Sequence, residues 1–556
     1  MATISDLAND VAERPRQSDA REPELATDEV FLRPDVKIEP LTCGWYAWSH
    51  LIAPATQAMN VTYRQIPLLR SFIDNPAVHA AAAANPSLVG GSFVALTEAD
   101  APRAAALLDD INRRCANMIA FAEAFRQLDR EVQGKAQGFC LDDFYRSLPA
   151  ELAGLVEIVY DLNNHPKTKL IEELLYAGGL DNRGLQQIHL HRTPSEDRPF
   201  FLSTPRLERQ GSLVLNMRYT DPRLDDLCAM KLRSGSLADA TRHLVESKHK
   251  VDCFHSLFTS ERPLRKTPNY RGDGVRVRYF GHACVLVQTA GLSVLIDPTT
   301  AWARDDKEAT LTFDDLPDVI DYVVLSHAHQ DHICPEVLLP LRRRIGQICI
   351  PRHNPGNIAD PSLKLVLREL GFSNIRVLDP LDCIDTPDGQ IISLPFPGEH
   401  CDLDIATKQC VFLNIRGRRL AFLVDSDAVD AGLYRRIAGR IGSAPLDALF
   451  IGMECHGAPL GWLYGPLLTR ASKRRDDDSR RLNGCTCERA LGVVEAIPCT
   501  RAYVYAMGQE HWLRYLMGLA YRPDSVQIVE SDRFVAQCRD RGIEADRLLG
   551  CREWLL

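Results

Sequence analysis

The sequence has no apolar run that approaches the ~18 residues needed to cross a bilayer. Its N-terminus lacks the basic-then-apolar order of a signal peptide. An excess of positive charge is also absent, since the formal net charge is -9 at pH 7. Basic surfaces attract nucleic acid and anionic lipid. We therefore expect neither nucleic acid nor a membrane as a partner.

The cysteines do not form a recognisable disulfide framework, because the 17 residues are odd in number and scattered along the chain. Reduced thiols in a cytoplasmic protein are the better interpretation. Hydrophobic residues make up 45% of the sequence and charged residues 25%, which is ordinary for a globular protein. A length of 556 residues exceeds one compact core and predicts at least two domains.

Composition and periodicity divide the chain into three parts. Residues 1–30 are polar and acidic, which predicts a disordered tail. Residues 31–262 mix helical and strand patterns, with helices predicted over 102–132 and 149–162. A polar, turn-rich stretch then marks a boundary, and a second domain is expected over residues 274–556.

Two histidines in the first domain, His189 and His191, alternate on one face of a predicted strand. This spacing fits either a metal pair or ordinary strand histidines. No carboxylate and histidine follow in the pattern of a metal motif, which favours ordinary strand histidines.

The second domain contains a dense group of metal-ligating residue types. An apolar run at 322–325 predicts a buried strand, and His327, His329, Asp331 and His332 follow it directly. His327 and His329 are two residues apart, so they point to the same side of an extended segment. Imidazoles and carboxylates are common metal ligands. The pattern predicts a site for two metal ions.

The spacing His-x-His-x-Asp-His resembles the signature of the metallo-β-lactamase fold. A strand meander over 275–296 and the Asp297-Pro298 pair precede it, as in that family. The resemblance implies an α/β fold class, with two packed sheets covered by helices in an αββα sandwich. It also implies a third ligand on the first metal, a bridging carboxylate and a final ligand on the second metal.

Glu399 and His400 are both candidates for the third ligand of the first metal. Most members of the fold family use a histidine there. Neighbours in an extended segment point to opposite sides, so one ion should use only one of the two. The choice separates two functions.

The other candidates follow predicted strands. Asp425 ends a buried strand and is expected to bridge the metals, whereas Asp427 suits a helix N-cap. His511 is expected to be the last ligand, with Glu510 or water as the alternative. Glu454 is the candidate catalytic residue, because it can face the substrate or orient a metal ligand.

Beyond the general fold, nearly the whole chain from residue 31 resembles the chloramphenicol-pathway β-hydroxylase family. Members are diiron oxygenases that act on an amino acid tethered to a nonribosomal peptide synthetase. The segments that carry the resemblance are LRPDV at 32–36, WYAW at 45–48, GEHCDL at 398–403, GMEC at 452–455, WLYGP at 462–466 and YAMGQE at 505–510.

The resemblance implies a monooxygenase that β-hydroxylates an L-aminoacyl thioester, using O2 and an external electron donor. Its partner would be a carrier domain with an aminoacyl-phosphopantetheine arm, and the N-terminal α+β domain would form a homodimer. The hydroxylated side chain stays open between aromatic and aliphatic residues such as leucine. The implied ligands are His327, His329 and Glu399 on the first iron, Asp331, His332 and His511 on the second, and Asp425 between them.

Two other classes of function are compatible with the motif. In a binuclear zinc hydrolase, His400 would replace Glu399, and a metal-bound hydroxide would attack an ester, lactone or phosphoester. The Glu399 position together with the large N-terminal domain argues against this class. A metal-binding scaffold without turnover is the third class, and the intact set of ligands argues against it.

Overall fold

The computed structural model describes residues 28–556, except 86, 87, 89, 179, 181, 194, 195, 197 and 304–308. Most of the predicted tail lies outside the described residues, although Glu29 and Val30 already belong to the first strand. No helix among the described residues is both long and apolar enough to cross a membrane.

The strands of the N-terminal part are Glu29–Leu32 (β1), Val36–Thr42 (β2), Trp45–Tyr46 (β3), Val156–Tyr160 (β4), Pro166–Leu170 (β5), Gln186–Arg192 (β6), Ser212–Leu215 (β7), Gly235–Ser236 (β8) and Phe258–Thr259 (β9). Within the described residues, this part contains three small antiparallel sheets, ordered β8-β1-β9, β3-β2-β6-β7 and β4-β5. Its helices are Ser49–Ile52 (α1), Pro54–Asn60 (α2), Ile66–Asp74 (α3), Pro76–Ala83 (α4), Ala101–Arg114 (α5), Ala116–Lys135 (α6), Asp142–Arg146 (α7), Glu172–Ala177 (α8), Pro222–Ala229 (α9), Leu237–Leu244 (α10) and Val251–His255 (α11).

Two helix predictions in this part need correction. The single helix expected over 102–132 is two helices, because the backbone of Cys115 leaves the helical region at φ -103° and ψ 17°. The break lets α5 pack on α3 while α6 packs on α2 and β5. The helix expected over 149–162 is wrong. The β-branched residues of β4 pair with β5, and the Asn163-Asn164 segment forms the hairpin turn.

The C-terminal part contains seventeen strands in the described chain: Arg276–Gly281 (β10), Cys284–Gln288 (β11), Ser293–Ile296 (β12), Ile320–Val324 (β13), Ile345–Pro351 (β14), Ile375–Leu378 (β15), Cys383–Thr386 (β16), Gly389–Leu394 (β17), Glu399–His400 (β18), Cys410–Ile415 (β19), Arg418–Phe422 (β20), Ala448–Gly452 (β21), His456–Pro459 (β22), Arg481–Asn483 (β23), Arg501–Tyr505 (β24), Glu544–Arg547 (β25) and Arg552–Leu555 (β26). Its helices are Pro335–Leu341 (α12), Leu363–Glu369 (α13), Ala431–Ile441 (α14), Leu460–Tyr464 (α15), Arg474–Ser479 (α16), Cys487–Ala496 (α17), Arg514–Met517 (α18) and Val526–Asp540 (α19).

The predicted αββα sandwich is confirmed. Two seven-stranded sheets, β15-β14-β13-β12-β11-β10-β26 and β16-β17-β19-β20-β21-β24-β25, enclose one apolar core. Within it Phe422 and Phe450 stack with ring centroids 4.7 Å apart. Helices α14, α17 and α19 cover the outer face of the second sheet. Residues of α12, α13 and the N-terminal sheets share one cluster on the outer face of the first sheet.

A buried ion pair joins the two parts at α12, directly after the histidine motif. The guanidinium of Arg198 donates to both carboxylate oxygens of Glu336, at 2.6 and 3.1 Å. Trp302 and Tyr515 donate to the same carboxylate, at 3.2 and 2.9 Å. The Arg198 guanidinium also lies over the Tyr515 ring, 3.6 Å from its centroid. Such a fully bonded pair fixes the orientation of α12 relative to the N-terminal domain.

We expect Arg198→Ala to lower the free energy of unfolding by about 3–5 kcal/mol, because it leaves the Glu336 carboxylate buried without its counter-charge. Urea unfolding measures the change. Arg113→Ala is the control, since the side chain of Arg113 is 75% exposed beside Asp110. An exposed pair of this kind contributes about 0–1 kcal/mol. Equal effects of the two substitutions would show that Arg198 does not hold the domains together.

Candidate metal centre

The histidine motif forms a buried loop directly after β13. The rings of His327 and His332 lie 4.1 Å apart, and both Nε2 atoms face Asp425. Asp425 Oδ2 is 3.6 Å from Nε2 of His327 and 3.0 Å from Nε2 of His332. One carboxylate from the end of β20 is therefore adjacent to two imidazoles from the end of β13. This is the arrangement expected of a bridging ligand.

Hydrogen bonds on the far side of the rings fix their orientation. Nδ1 of His332 lies 2.9 Å from Oδ2 of Asp297, and Nδ1 of His327 lies 2.9 Å from Oγ of Ser326. Asp297 also accepts from the backbone N–H and the hydroxyl of Ser326. Because Nδ1 is engaged on each ring, Nε2 is the atom directed at the centre.

Glu399 and His400 both reach the other side of the centre. Glu399 Oε1 lies 2.8 Å from Nδ1 of His329, whereas Nδ1 of His400 lies 3.1 Å from Nε2 of His329 and 3.1 Å from the Tyr464 hydroxyl. Glu399 has φ +70°, so the strand alternation that we assumed for this pair does not hold. Ligand atoms of His327, His329 and Glu399 converge within 4.8 Å of one another, which supports Glu399 as the ligand.

Asp331 meets a histidine that we had not assigned as a site residue. Nε2 of His282 lies 3.0 Å from Asp331 Oδ2, and Nδ1 of His282 accepts the Gly508 N–H at 3.2 Å. A neutral imidazole that accepts at Nδ1 carries its proton on Nε2, so His282 donates to Asp331 and orients it. The Gly281-His282 turn next to a strand end was the available signal in the sequence.

Among the described residues, His511 lies outside the groups of ligand types that converge at the centre. Its side chain is exposed at the start of a short 3-10 turn, whereas the convergent ligand types are buried. The expectation that His511 is the last ligand stays a prediction, which the iron content of a His511 variant tests. Its neighbour Glu510 is buried and accepts from the His282 backbone N–H at 2.6 Å and from Tyr279 at 2.9 Å.

Backbone strain is concentrated around the centre. His282, Asp297, Glu399 and Val424 adopt positive φ between 41° and 70°. For a β-branched residue such as Val424 this is a true outlier, and strain of this kind costs of order 1–3 kcal/mol per residue. Each of these four residues is a candidate ligand, precedes one or forms a hydrogen bond with one. The surrounding packing therefore holds the side chains in place against the local preference of the backbone.

The charges around the centre fit bound cations. Burial raises the pKa of Asp425, and burial together with Asp425 and Glu399 raises the pKa of Glu454 well above its usual range. Nε2 of His327 and Oδ1 of Asp425 are buried and have no hydrogen-bond partner. A mixed set of imidazoles and carboxylates suits iron. Positive ions would neutralise the carboxylates and satisfy both unpaired atoms.

A cavity of about 350 Å³ opens onto the centre. His329, Asp331, Glu399, Asp425 and Glu454 line its inner face, so the candidate catalytic residue lies beside the candidate ligands. The opposite wall comes from α15, from residues near 518 and from the N-terminal loop at Gly90 and Gly91. Both domains therefore shape the space in which a substrate would react.

The histidine pair of the N-terminal domain has a different environment. His189 and His191 stack with centroids 4.3 Å apart and lie 3.2 and 3.3 Å from Oε2 of Glu39. Oε1 of Glu39 receives Arg206 and Arg198 at 2.9 and 3.3 Å. Two guanidinium groups already neutralise this carboxylate, which supports ordinary strand histidines over a metal pair.

Comparison with known proteins agrees with this geometry. Residues 31–263 match the diiron non-heme beta-hydroxylase N-terminal domain, and residues 276–402 match the beta-lactamase superfamily domain. The chain is 34% identical over 526 residues to the 4-amino-L-phenylalanyl-[CmlP-peptidyl-carrier-protein] 3-hydroxylase of Streptomyces venezuelae, covering 93% of this chain and 98% of that protein. The chain belongs to the diiron β-hydroxylase family.

The crystal structure of CmlA, a diiron β-hydroxylase from Streptomyces venezuelae, matches this chain with a TM-score of 0.88 and 33% identity. The match covers 95% of this chain and 99% of that chain. A metal-dependent hydrolase of Ignicoccus hospitalis is 28% identical over 163 residues, covering only 29% of this chain and 62% of that protein. The predicted family and enzyme class, a diiron monooxygenase, are confirmed.

Iron content tests whether His511 is a ligand of the second metal. We expect His511→Ala to keep the iron content of the unsubstituted protein, because its side chain lies outside the convergent ligands. His332→Ala should lower the content by about half or more, because its Nε2 faces Asp425. Elemental analysis of purified variants measures both. Loss of iron from the His511→Ala variant would show that this residue is a ligand.

Proposed function

We propose that the protein β-hydroxylates an L-aminoacyl thioester held on the phosphopantetheine arm of a nonribosomal peptide synthetase carrier domain. The observation that carries the proposal is the placement of Glu399 with His327 and His329 beside the cavity. The relative from Streptomyces venezuelae acts on an aminoacyl group bound to a peptidyl carrier protein, which supports the substrate class.

The residues present support an iron ligand set of His327, His329, Glu399, Asp331, His332 and Asp425. Insertion of one oxygen atom into the β C–H bond is the chemistry that a bound diiron centre supplies, with O2 and two electrons. A carboxylate in place of a third imidazole adds negative charge and favours iron over zinc at the site. Glu399 therefore distinguishes an oxygenase from a zinc hydrolase with His400 as ligand.

The chain itself supplies binding and orientation. Glu454 follows the end of β21 and lines the cavity beside Asp425, where its carboxyl group can contact the reacting end of the substrate. The buried Gln330 side chain lies on the same face, and its Oε1 has no hydrogen-bond partner. Both groups suit the α-amino group or thioester of an aminoacyl substrate, which is polar next to the reacting carbon.

The proposed partners are the carrier domain, an external electron donor and a second copy of the chain, in a cytoplasmic setting. Phe139 and Leu162 support self-association through the N-terminal domain, because their side chains are 75% and fully exposed. The Tyr160 hydroxyl donates to the Phe139 carbonyl at 3.0 Å and so connects the two regions. Exposed apolar groups of this kind are common at interfaces.

Metal identity tests the proposed ligand choice. We expect about two irons per chain in freshly purified protein. Glu399→Ala should lose iron, because it removes the carboxylate from His329. His400→Ala is the matched control and should keep iron, since it leaves the convergent group of His327, His329 and Glu399 complete. Two zinc ions that are lost with His400→Ala and kept with Glu399→Ala would contradict the oxygenase.

A conservative substitution at Glu454 tests its catalytic role. We expect Glu454→Gln to keep the iron content and to lower the rate of one-oxygen mass gain on a loaded carrier protein by about tenfold or more. The reason is that the variant keeps the shape of the side chain but replaces the titratable carboxyl group with an amide, which cannot transfer a proton. An unchanged rate would show that Glu454 takes no part in the reaction.

A further inference from the structure

The cavity at the metal centre has two chemically different faces. The candidate ligands, Gln330 and Glu454 form one face. Among the described residues, the rest of the lining consists of glycine, alanine, proline and larger apolar side chains. The larger ones are Leu88, Trp462, Leu463, Leu482, Met517 and Leu519. No described residue on this second face contributes a charged or hydrogen-bonding group of its side chain, apart from the indole N–H of Trp462.

The indole N–H of Trp462 is already used. It donates to the carbonyl of Gly90 at 3.2 Å, and Arg64 donates to the Trp462 carbonyl at 2.6 Å. Phe200 stacks against the indole with centroids 5.6 Å apart and an angle of 29°. The ring is therefore fixed from several sides, and it presents carbon atoms to the cavity.

Two glycines close the wall between the domains. A Cβ atom on Gly90 would lie 3.0 Å from the carbonyl oxygen of Gly518, and one on Gly518 would lie 2.9 Å from both Gly90 and the Phe200 ring. Both glycines have positive φ, at 82° and 57°. The close approach of these backbones holds the wall beside Trp462.

We propose that the hydroxylated amino acid has an apolar side chain with no polar group at its end. This inference rests on the proposed function. When the β-carbon faces the ligands, the α-amino group lies near Oε1 of Gln330 and the carboxyl group of Glu454. The remainder of the side chain then extends against Trp462, Leu463 and Leu482.

The inference separates this protein from its relative in Streptomyces venezuelae, whose substrate is a 4-amino-L-phenylalanyl group. An amine at the end of a side chain would here be buried against carbon atoms. A buried donor without an acceptor loses its hydrogen bonds to water, which corresponds to discrimination of about tenfold or more.

Two pairs of substrates of similar shape test the inference. One carrier protein is loaded with leucine or asparagine, and with phenylalanine or 4-aminophenylalanine, and one-oxygen mass gain is followed. We expect the apolar member of each reacting pair to react at least about tenfold faster. The affinities of the oxidised enzyme for the four loaded carriers, measured without an electron donor, should follow the same order.

Equal rates within both pairs, or faster reaction of the polar members, would overturn the inference and leave the proposed function intact. Failure of every loaded carrier, including further aminoacyl groups, to gain oxygen would overturn the proposed function and the inference with it. The outcomes are thus distinguishable in one set of reactions.

A substitution in the wall provides a second test. Leu519 is half-buried, so Leu519→Gln should fold, as iron content and thermal unfolding can verify. We expect the new amide to narrow the preference for phenylalanyl over 4-aminophenylalanyl by about threefold or more. Leu519→Met is the matched control and should leave the preference unchanged. An identical preference in both variants would contradict the role of this wall.

Discussion

The structure depends on a group of carboxylates that are buried among imidazoles, at the place where several strands of the C-terminal domain end. Glu399, Asp331 and Asp425 are buried together, and burial of negative charge is costly unless cations neutralise it. Two observations show that the protein is built around this constraint. The Nδ1 atoms of His327 and His332 form hydrogen bonds with Ser326 and Asp297 on the side away from the centre. Strained backbone recurs at the flanking residues. Local stability is reduced here so that ligand atoms converge.

The N-terminal domain takes part in the same arrangement. Glu336 lies on α12, four residues after His332, and its carboxylate is held by Arg198 of the N-terminal domain. The loop at Gly90 from that domain also contacts Trp462 at the cavity. The domain thus supports the metal loop from one side and forms the substrate wall from another. A hydrolase with an open metal site has no comparable need for such a domain.

The local parts of the site could be predicted from the sequence, and the non-local parts could not. The histidine motif follows directly from one strand, so spacing alone placed His327, His329, Asp331 and His332 together. The contact of His282 with Asp331 joins strands far apart in the chain. Glu510, in the loop after β24, likewise accepts hydrogen bonds from Tyr279 and from the His282 backbone, which are distant in the chain. The helix expected over 149–162 failed for a related reason, because its hairpin partner decides the conformation.

The adjacent residues Glu399 and His400 show how one backbone conformation connects metal choice with substrate choice. The positive φ of Glu399 breaks the alternation of a strand, so both side chains approach His329. His400 then contacts the hydroxyl of Tyr464, which lies 3.3 Å from His329 Nε2 as well. Tyr464 ends α15, the same helix that carries Trp462 to the apolar wall. A change in the ligand at this position would therefore disturb the helix that shapes the substrate cavity, and metal selectivity and side-chain selectivity depend on the same short segment.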